Sequence, residues 1–335
     1  MSDSEFTWRD GERTIYFRAG VIGDSPEILD AHDFGAYELL TTERAMGAAP
    51  LELAERAAGF HHVAPGPVSE VAARIVGEVS ASALVALGGG RVIDVAKAVA
   101  AVRGGSVAAL PTTLSGAEMT RIHRLPEGYA AASGLLRPEL VLADPPVMAS
   151  LPEQRLRASA INALAHGADS LYTPLANPIS RMSALRGAGL IAKALDAAPA
   201  ERDPAPLALG AVLCAYALDS ALFALHHVIC QSLVRTLRIP HAETNAAILP
   251  RVAEAMVPRA GKQMTALARA LGTRRDRLGK RVEELAGGRI RLAALGAEEA
   301  SLDEAVKTIL ARPELGLTPD PPDEGEIRGL IAAAW

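Results

Sequence analysis

The chain has little cysteine, few aromatic residues and no surplus of positive charge. Two of its 335 residues are cysteines, and 4% are aromatic. Two cysteines cannot form a disulfide framework. Cys214 and Cys230 both lie in apolar helical stretches, so we expect reduced thiols in a cytoplasmic protein. Lysine and arginine number 34 against 39 aspartates and glutamates, a net charge of −5, which argues against a nucleic-acid partner.

Signals for secretion and for membrane insertion are also weak. The first residues, M-S-D-S-E-F-T-W-R-D, are polar and acidic, which predicts no signal peptide. An apolar run at residues 207–225 is long enough to span a bilayer. It contains Asp219 and many alanines, which favours a buried helix, so we expect no membrane partner.

Residues 1–151 alternate between short apolar runs and helical stretches. This alternation predicts an α/β domain with a parallel sheet and crossover helices. Asp10-Gly11, between alternating flanks, favours a hairpin with a tight primed turn. The predicted strands lie at residues 14–17, 36–40, 83–87, 106–110 and 139–143.

From Pro152 to residue 335 the strand patterns stop. Alanine- and leucine-rich helical periodicity takes over, interrupted at residues 176–178, 202–206, 238–241 and 318–323. Proline and asparagine at these breaks are typical of connections between helices. The sequence therefore predicts a second, all-α domain over residues 152–335.

The strongest local pattern in the first domain is A-L-V-A-L-G-G-G-R-V-I-D-V-A-K at residues 83–97. A buried strand runs through Gly88, Gly89 and Gly90 into a helix. Such a junction suits a pyrophosphate, because the backbone can approach the ligand and the helix start attracts anions. The spacing lacks the G-x-G-x-x-G fingerprint, and three glycines after a strand also fit a plain tight turn. A second strand, at residues 106–110, ends in P-T-T-L-S-G-A-E, which favours a ligand site at this edge of the sheet.

The second domain carries four of the eight histidines. Asn162 and His166 lie four residues apart, on one face of a predicted helix. His226 and His227 lie in another helix, and His241 follows a proline that ends it. Three histidines and an amide, spread over two helices and a loop, point to a functional pocket.

These blocks together resemble the iron-containing alcohol dehydrogenase superfamily, and within it the maleylacetate reductase branch. The residues that carry the resemblance are G-G-G-R-V-I-D-V-A-K, P-T-T-L-S-G-A-E-M-T, N-A-L-A-H-G-A-D-S-L-Y and L-H-H-V-I-C-Q followed by I-P-H-A-E-T-N. The resemblance implies a dehydroquinate synthase-like fold, with an α/β dinucleotide-binding domain and an all-α domain. It also implies NADH or NADPH as hydride donor, a small-molecule substrate, and a homodimer formed through the N-terminal strands.

The resemblance assigns roles to individual residues. It places Gly88, Gly89, Gly90 and Asp94 at the pyrophosphate turn, Thr112, Thr113 and Leu114 under the nicotinamide, and Thr42 near the 2′ position of the ribose. Thr42 is followed by Glu43, so the choice between NADH and NADPH stays open. In metal-dependent members an Asp and three His hold the ion, and these map onto Asn162, His166, His227 and His241.

Asn162 is a departure from that metal set. A neutral amide replaces a carboxylate and should bind a divalent cation much more weakly. Asn at this position is typical of the maleylacetate reductase branch, so we expect a metal-independent site. Without a Lewis acid, hydrogen-bond donors must meet the developing negative charge. We expect His227 and His241 to donate, with Asn162 and His166 orienting the substrate.

Further departures concern the cofactor loops and the pocket: Arg18, Arg91, Ala117, Gln231, Thr244 and Asn245. With these departures, three hypotheses about the function stay open. The first is a metal-independent NAD(P)H-dependent reductase of a small carboxylate-bearing carbonyl or enone. The second is a lyase, cyclase or isomerase on the same scaffold in a biosynthetic pathway, and the third is a metal-dependent alcohol dehydrogenase.

Overall fold

A computed structural model of the chain describes residues 5–132 and 134–335. The chain divides into two compact units. One consists of Met1–Leu151 with Pro204–Ala208, and the other of Pro152–Asp203 with Leu209–Trp335.

The first unit is a seven-stranded sheet with six helices. Its strands are β1 (Phe6–Asp10), β2 (Arg13–Phe17), β3 (Tyr37–Thr41), β4 (Gly59–His62), β5 (Ala83–Gly88), β6 (Ser106–Pro111) and β7 (Leu140–Ala143). Its helices are α1 (Ser25–Ala31), α2 (Glu43–Met46), α3 (Leu51–Glu55), α4 (Val68–Ile75), α5 (Gly90–Arg103) and α6 (Pro145–Met148).

The strands are ordered β1-β2-β7-β6-β5-β3-β4 across the sheet, and among the described strands only the β1–β2 pair is antiparallel. Successive residues of the central strand β5 point into two separate apolar clusters. Leu84 and Ala86 belong to one cluster, Val85 and Leu87 to the other. Both faces of the strand are therefore buried, which explains its continuous apolar sequence.

Two details of this unit differ from the sequence prediction. The hairpin forms, but its turn is Gly11-Glu12, because Asp10 pairs with Arg13 as the last rung of the ladder. Gly11 supplies the positive φ of 64° that the turn needs. Strand β4 was not predicted, because its sequence G-F-H-H is short and half polar.

The second unit is helical, as predicted. Its helices are α7 (Glu153–Ser170), α8 (Pro178–Asp196), α9 (Pro204–Ala221), α10 (Leu225–Leu237), α11 (His241–Arg259), α12 (Gly261–Ala270), α13 (Leu278–Leu285), α14 (Leu302–Leu310) and α15 (Glu324–Ala334). The first five residues of α9 are counted with the first unit. The predicted breaks coincide with connections between these helices. One expectation was wrong: His241 is the first residue of α11 rather than part of a loop.

Helix α9 contains most of the long apolar run. Of the described helices it alone is long and apolar enough to cross a membrane, and 67% of it is buried inside the protein. Cys214 of this helix is a free, buried thiol, and burial raises its pKa to about 12. Such a thiol is inert under ordinary conditions.

Candidate active site

The glycine turn between β5 and α5 is tightly enclosed. A Cβ at Gly88 would lie 2.6 Å from a methyl carbon of Val92, and one at Gly90 would lie 2.9 Å from the Ser115 side chain. Gly89 is the N-cap of α5, and no side chain caps the first N–H groups of the helix. The turn therefore leaves backbone donors at a helix start, which suits a phosphate group.

The P-T-T-L-S loop lies directly against this turn. The Thr112 amide donates to the Gly88 carbonyl over 2.9 Å, and a Cβ at Gly89 would lie 3.0 Å from the Thr113 side chain. Because β5 and β6 are parallel neighbours, the two loops meet at the carboxyl edge of the sheet. Leu114, by contrast, is fully buried.

Lys97 is a residue of this region that the sequence reasoning missed. Its side chain is fully buried, and its ammonium donates to the carbonyls of Ala117, Thr120 and Ile122 over 2.9–3.0 Å. It also lies 2.8 Å from Asp94 Oδ1. Asp94 therefore holds Lys97, which in turn fixes the end of the second loop. A lysine on an otherwise apolar helix face was the available signal.

Glu118, in the same loop, is fully buried, and neither carboxylate oxygen has a hydrogen-bond partner among the described residues. Burial raises its pKa to about 7. This carboxyl therefore exchanges its proton near neutral pH.

The other residues that the sequence analysis assigned to the cofactor loops lie outside the glycine turn itself. Thr42 caps α2 by accepting from the Ala45 amide over 3.3 Å, so its hydroxyl already has a structural task. Arg91 is exposed in the first turn of α5. Arg18 forms an ion pair with Asp24 at 2.5 Å, and Ala117 packs into an apolar cluster.

In the helical unit, α7 presents a polar stripe within a buried helix. Asn162, His166 and Asp169 follow one another at intervals of four and three residues, which places them on one face. All three are buried. Asn162 Oδ1 and His166 Nδ1 have no hydrogen-bond partner among the described residues. The stripe therefore offers unpaired polar atoms that a ligand could satisfy.

Asp169 is the second residue that the sequence reasoning missed. Its carboxylate accepts from His227 Nδ1 over 2.9 Å and from the backbone amides of Ala224, His226 and His227 over 3.0–3.3 Å. The Tyr172 hydroxyl donates to it as well. Burial opposes its ionisation, but these hydrogen bonds hold the pKa of Asp169 below its usual range. The remaining nitrogen of His227, Nε2, has no partner among the described residues.

The other histidines surround this pair. The rings of His166 and His227 stack at 5.0 Å between centroids. His226 Nε2 lies 2.8 Å from Asn245 Oδ1, and the Asn245 amide donates to the His241 carbonyl over 2.7 Å. Asn245 thus ties α10 to the start of α11, where the His241 side chain is exposed.

Two of the buried histidines, His166 and His226, favour their neutral forms. Burial, with the nearby charges of His227 and His241, holds the pKa of His166 well below its usual value. Burial also lowers the pKa of His226 to about 3. The structure thus brings the rings of His166, His226 and His227 into contact and places Asn162 one turn before His166, while the His241 side chain is exposed at the start of α11.

A resident divalent metal ion fits this cluster poorly. Within the part of the chain that the structure describes, no three His, Cys, Asp or Glu side chains are placed to hold one ion. The one carboxylate beside the histidines, Asp169, is saturated by hydrogen bonds. Asn162 could offer only a neutral oxygen.

Gln231 and Arg312 form a neighbouring polar group. Gln231 lies one turn beyond His227 on α10, and its amide oxygen accepts from Arg312 over 3.2 Å. Arg312 also pairs with Glu314 at 2.9 Å and lies over the ring of Phe223, which packs against His227. Gln231 is therefore connected to His227 through Arg312 and the Phe223 ring.

Two family models match the chain. The model of the iron-containing alcohol dehydrogenases matches residues 13–145, and that of the C-terminal region of the Fe-containing alcohol dehydrogenase family matches residues 157–335. A maleylacetate reductase of Sphingobium indicum is 30% identical over 315 residues, covering 89% of each chain. One of Burkholderia cepacia is 32% identical over 265 residues, covering 76% of this chain and 74% of the relative.

Solved structures agree with these matches. A maleylacetate reductase from Agrobacterium tumefaciens superimposes with a TM-score of 0.83 at 30% identity, over 100% of this chain and 99% of the other. An iron-containing alcohol dehydrogenase from Corynebacterium glutamicum gives a TM-score of 0.84 at 27% identity, over 100% and 97% of the two chains.

Proposed function

The chain belongs to the iron-containing alcohol dehydrogenase family and is an NAD(P)-dependent oxidoreductase, and from that premise we propose that it reduces a small carboxylate-bearing carbonyl or enone without a metal ion. Maleylacetate is the leading candidate. It is a dicarboxylate in which a ketone is conjugated to a C=C bond. The observation that carries the proposal is the buried cluster of Asn162, His166 and His227, in which each side chain has a polar atom unpaired within the described part of the chain and an amide stands where a carboxylate ligand would be needed.

NADH or NADPH would be held by the glycine turn and the loop beside it. Gly88, Gly89 and Gly90 form the turn into α5, where the first N–H groups of the helix have no side-chain cap and could donate to a pyrophosphate. Thr112 and Thr113 border the same edge. The nicotinamide supplies the hydride when the cofactor is bound.

The helical cluster would meet the negative charge that develops on the substrate oxygen. Hydride addition to an enone gives an enolate, which needs hydrogen-bond donors and then a proton. His227 and His241 would donate, and Asn162 and His166 would orient the substrate through their unpaired polar atoms. Burial of Asn162, His166 and His227 excludes water and strengthens each of these interactions.

The proposal is tested by following oxidation of NADH and of NADPH with three kinds of substrate. These are maleylacetate, a saturated monocarboxylate ketone, and a simple aldehyde together with its corresponding alcohol. We expect rapid oxidation with maleylacetate and rates at least about 100-fold lower with the simple pair, because only the first presents an enone and two carboxylates.

Two results would contradict the proposal. Binding of neither nicotinamide, seen as no change in nicotinamide fluorescence, would favour a non-hydride enzyme on this scaffold. Preference for a simple alcohol, with activity restored by added iron or zinc, would favour a metal-dependent alcohol dehydrogenase.

A further inference from the structure

His226 and His227, at the start of α10, each form a hydrogen bond through a different ring nitrogen. The side-chain amide of Asn245 donates to the His241 carbonyl over 2.7 Å, so its oxygen must face His226. His226 therefore donates from Nε2. His227 instead contacts the Asp169 carboxylate through Nδ1 over 2.9 Å. Because a carboxylate only accepts, Nδ1 of His227 carries a proton.

Asp169 is not free to move away from His227. Its two oxygens accept from three backbone amides at the start of α10, which has no capping side chain of its own, and from the Tyr172 hydroxyl. Asp169 is fully buried. The same carboxylate thus caps α10 and fixes the His227 ring, so a shift of one would disturb the other.

The free atom of this arrangement is His227 Nε2. It is buried and has no hydrogen-bond partner among the described residues. It lies on a ring stacked against His166, which follows Asn162 by one helical turn. A nitrogen held in this way can exchange a proton with a ligand while the opposite nitrogen stays protonated.

We propose that Asp169 is a positioning residue for proton transfer, which fixes His227 so that Nε2 alone exchanges a proton with the substrate; this rests on the proposed function. In reduction His227 acts as an imidazolium whose charge is balanced by the Asp169 carboxylate. Its Nε2–H bond breaks, the proton goes to the enolate left by hydride addition, and a neutral ring protonated on Nδ1 remains. The electron pair of that bond stays on the ring, and water returns a proton to Nε2 after product release. Asp169 touches neither substrate nor cofactor in this scheme.

The first test reads the ring directly in the full-length protein. Nitrogen NMR of histidine-labelled protein, with His227 assigned by its loss in His227→Gln, should show Nδ1 of His227 protonated. The neighbouring His226, assigned through His226→Gln, should show a protonated Nε2 and serves as the internal comparison. An unprotonated Nδ1 at His227 would overturn the proposal, whatever the activity.

The second test separates positioning from folding. Asp169→Asn should lower kcat by about 10²–10⁴-fold with KM and NADH affinity changed less than about threefold, because the tautomer is lost while the binding groups remain. Tyr172→Phe removes one of several hydrogen bonds to the same carboxylate but keeps the Asp169–His227 hydrogen bond, so kcat should fall by less than about tenfold. Asp169→Glu should recover part of the kcat.

Equal kcat values for folded Asp169→Asn and Tyr172→Phe would also overturn the proposal. If Asp169→Asn does not fold, the wild-type NMR measurement decides. Failure of the proposed function is distinguishable, since it would appear as absent turnover in the wild type.

Discussion

Asn162 differs from an aspartate only in having an NH2 group where aspartate has one of its two carboxylate oxygens. The side chain is therefore neutral, and the pocket has one negative charge fewer. The residue is buried one turn before His166, and its Oδ1 has no partner among the described residues. An aspartate there would add a negative charge beside two histidines whose rings lie 5.0 Å apart. The neutral amide instead leaves a site suited to a polar organic ligand.

Asn162→Asp should create metal affinity. We expect Zn²⁺ or Fe²⁺ to bind at least about tenfold more tightly than to wild type, because ligand charge sets affinity for divalent cations. Calorimetric titration of the metal-free proteins measures this. Asn177→Asp, a change at an exposed helix cap, is the control and should not alter metal binding. Equal affinities for wild type and Asn162→Asp would mean that the charge at this position does not determine metal binding.

His241→Ala should abolish turnover and leave cofactor affinity nearly intact. The side chain is exposed at the first residue of α11, and its structural contact to Asn245 uses the backbone carbonyl, which alanine retains. We expect kcat to fall by about 10²-fold or more, as for loss of a general acid. The exposed His62 of β4 offers a matched control, His62→Ala. A rate near wild type would remove His241 from the mechanism.

Much of the site, but not its supporting residues, could be predicted from the sequence. Asn162, His166, His227 and His241 were identified because polar residues in apolar helices are conspicuous, and the structure places them in one helical unit. Asp169 and Lys97 were missed, since each looks like an ordinary charged residue on a helix. Their roles depend on the carboxylate meeting α10 and on the ammonium meeting three carbonyls, which are contacts distant in sequence.

Among the elements, helices α7, α8 and α9 pack closely at glycine positions. A Cβ at Gly187 of α8 would lie 2.7 Å from Cys214 Sγ and 2.7 Å from the Gly210 carbonyl, and one at Gly167 of α7 would lie 2.8 Å from the same sulfur. Glycine at these positions thus allows the three helices to approach closely.

Gly187→Ala should destabilise the protein by about 1–3 kcal/mol, because the added methyl group overpacks a contact that involves backbone. Gly329→Ala is the matched control in α15: its Cβ would meet nothing within 4 Å, and alanine should stabilise that helix by about 0.5–1 kcal/mol. Urea denaturation followed by circular dichroism measures both. Equal effects of the two variants would contradict the packing.

A second feature at the scale of elements is the buried carboxylate of Glu38 near the start of β3. Glu38 accepts from the Ser80 amide and hydroxyl and the Ala81 amide over 2.6–2.8 Å, and from His61 of β4 at 2.5 Å. Burial opposes its charge, but these hydrogen bonds lower the pKa of Glu38 from 4.5 to about 2. A carboxylate with a depressed pKa stabilises the folded state above the unfolded pKa and loses that contribution as the pH falls.

Glu38→Gln should therefore lower the free energy of unfolding by about 2–3 kcal/mol at neutral pH. The difference from wild type should shrink as the pH falls from 4.5 towards 2, the window set by the two pKa values. Urea denaturation at several pH values gives the curve. Glu78→Gln, at an exposed carboxylate 3.8 Å from His61, should have little effect. A difference independent of pH would contradict this account.

At the scale of the whole molecule, the sequence predicted the two fold classes, since strand and helix periodicity change at Pro152 and the central strands are buried on both faces. Strand β4, at the edge of the sheet, was not predicted because it is short and alternates polar with apolar residues. The homodimer, the cytoplasmic location and the choice between NADH and NADPH stay predictions.

The central claim is that this member of an iron-dehydrogenase family reduces its substrate with hydrogen-bond donors in place of a metal. The most direct test is the rate of NADH or NADPH oxidation with maleylacetate by protein dialysed against a chelator, with metal content measured on the same sample. We predict full activity at less than about 0.05 metal ions per chain, unchanged by added iron or zinc, because donor groups alone stabilise the developing charge. Activity that vanishes with the metal and returns with it would contradict the claim.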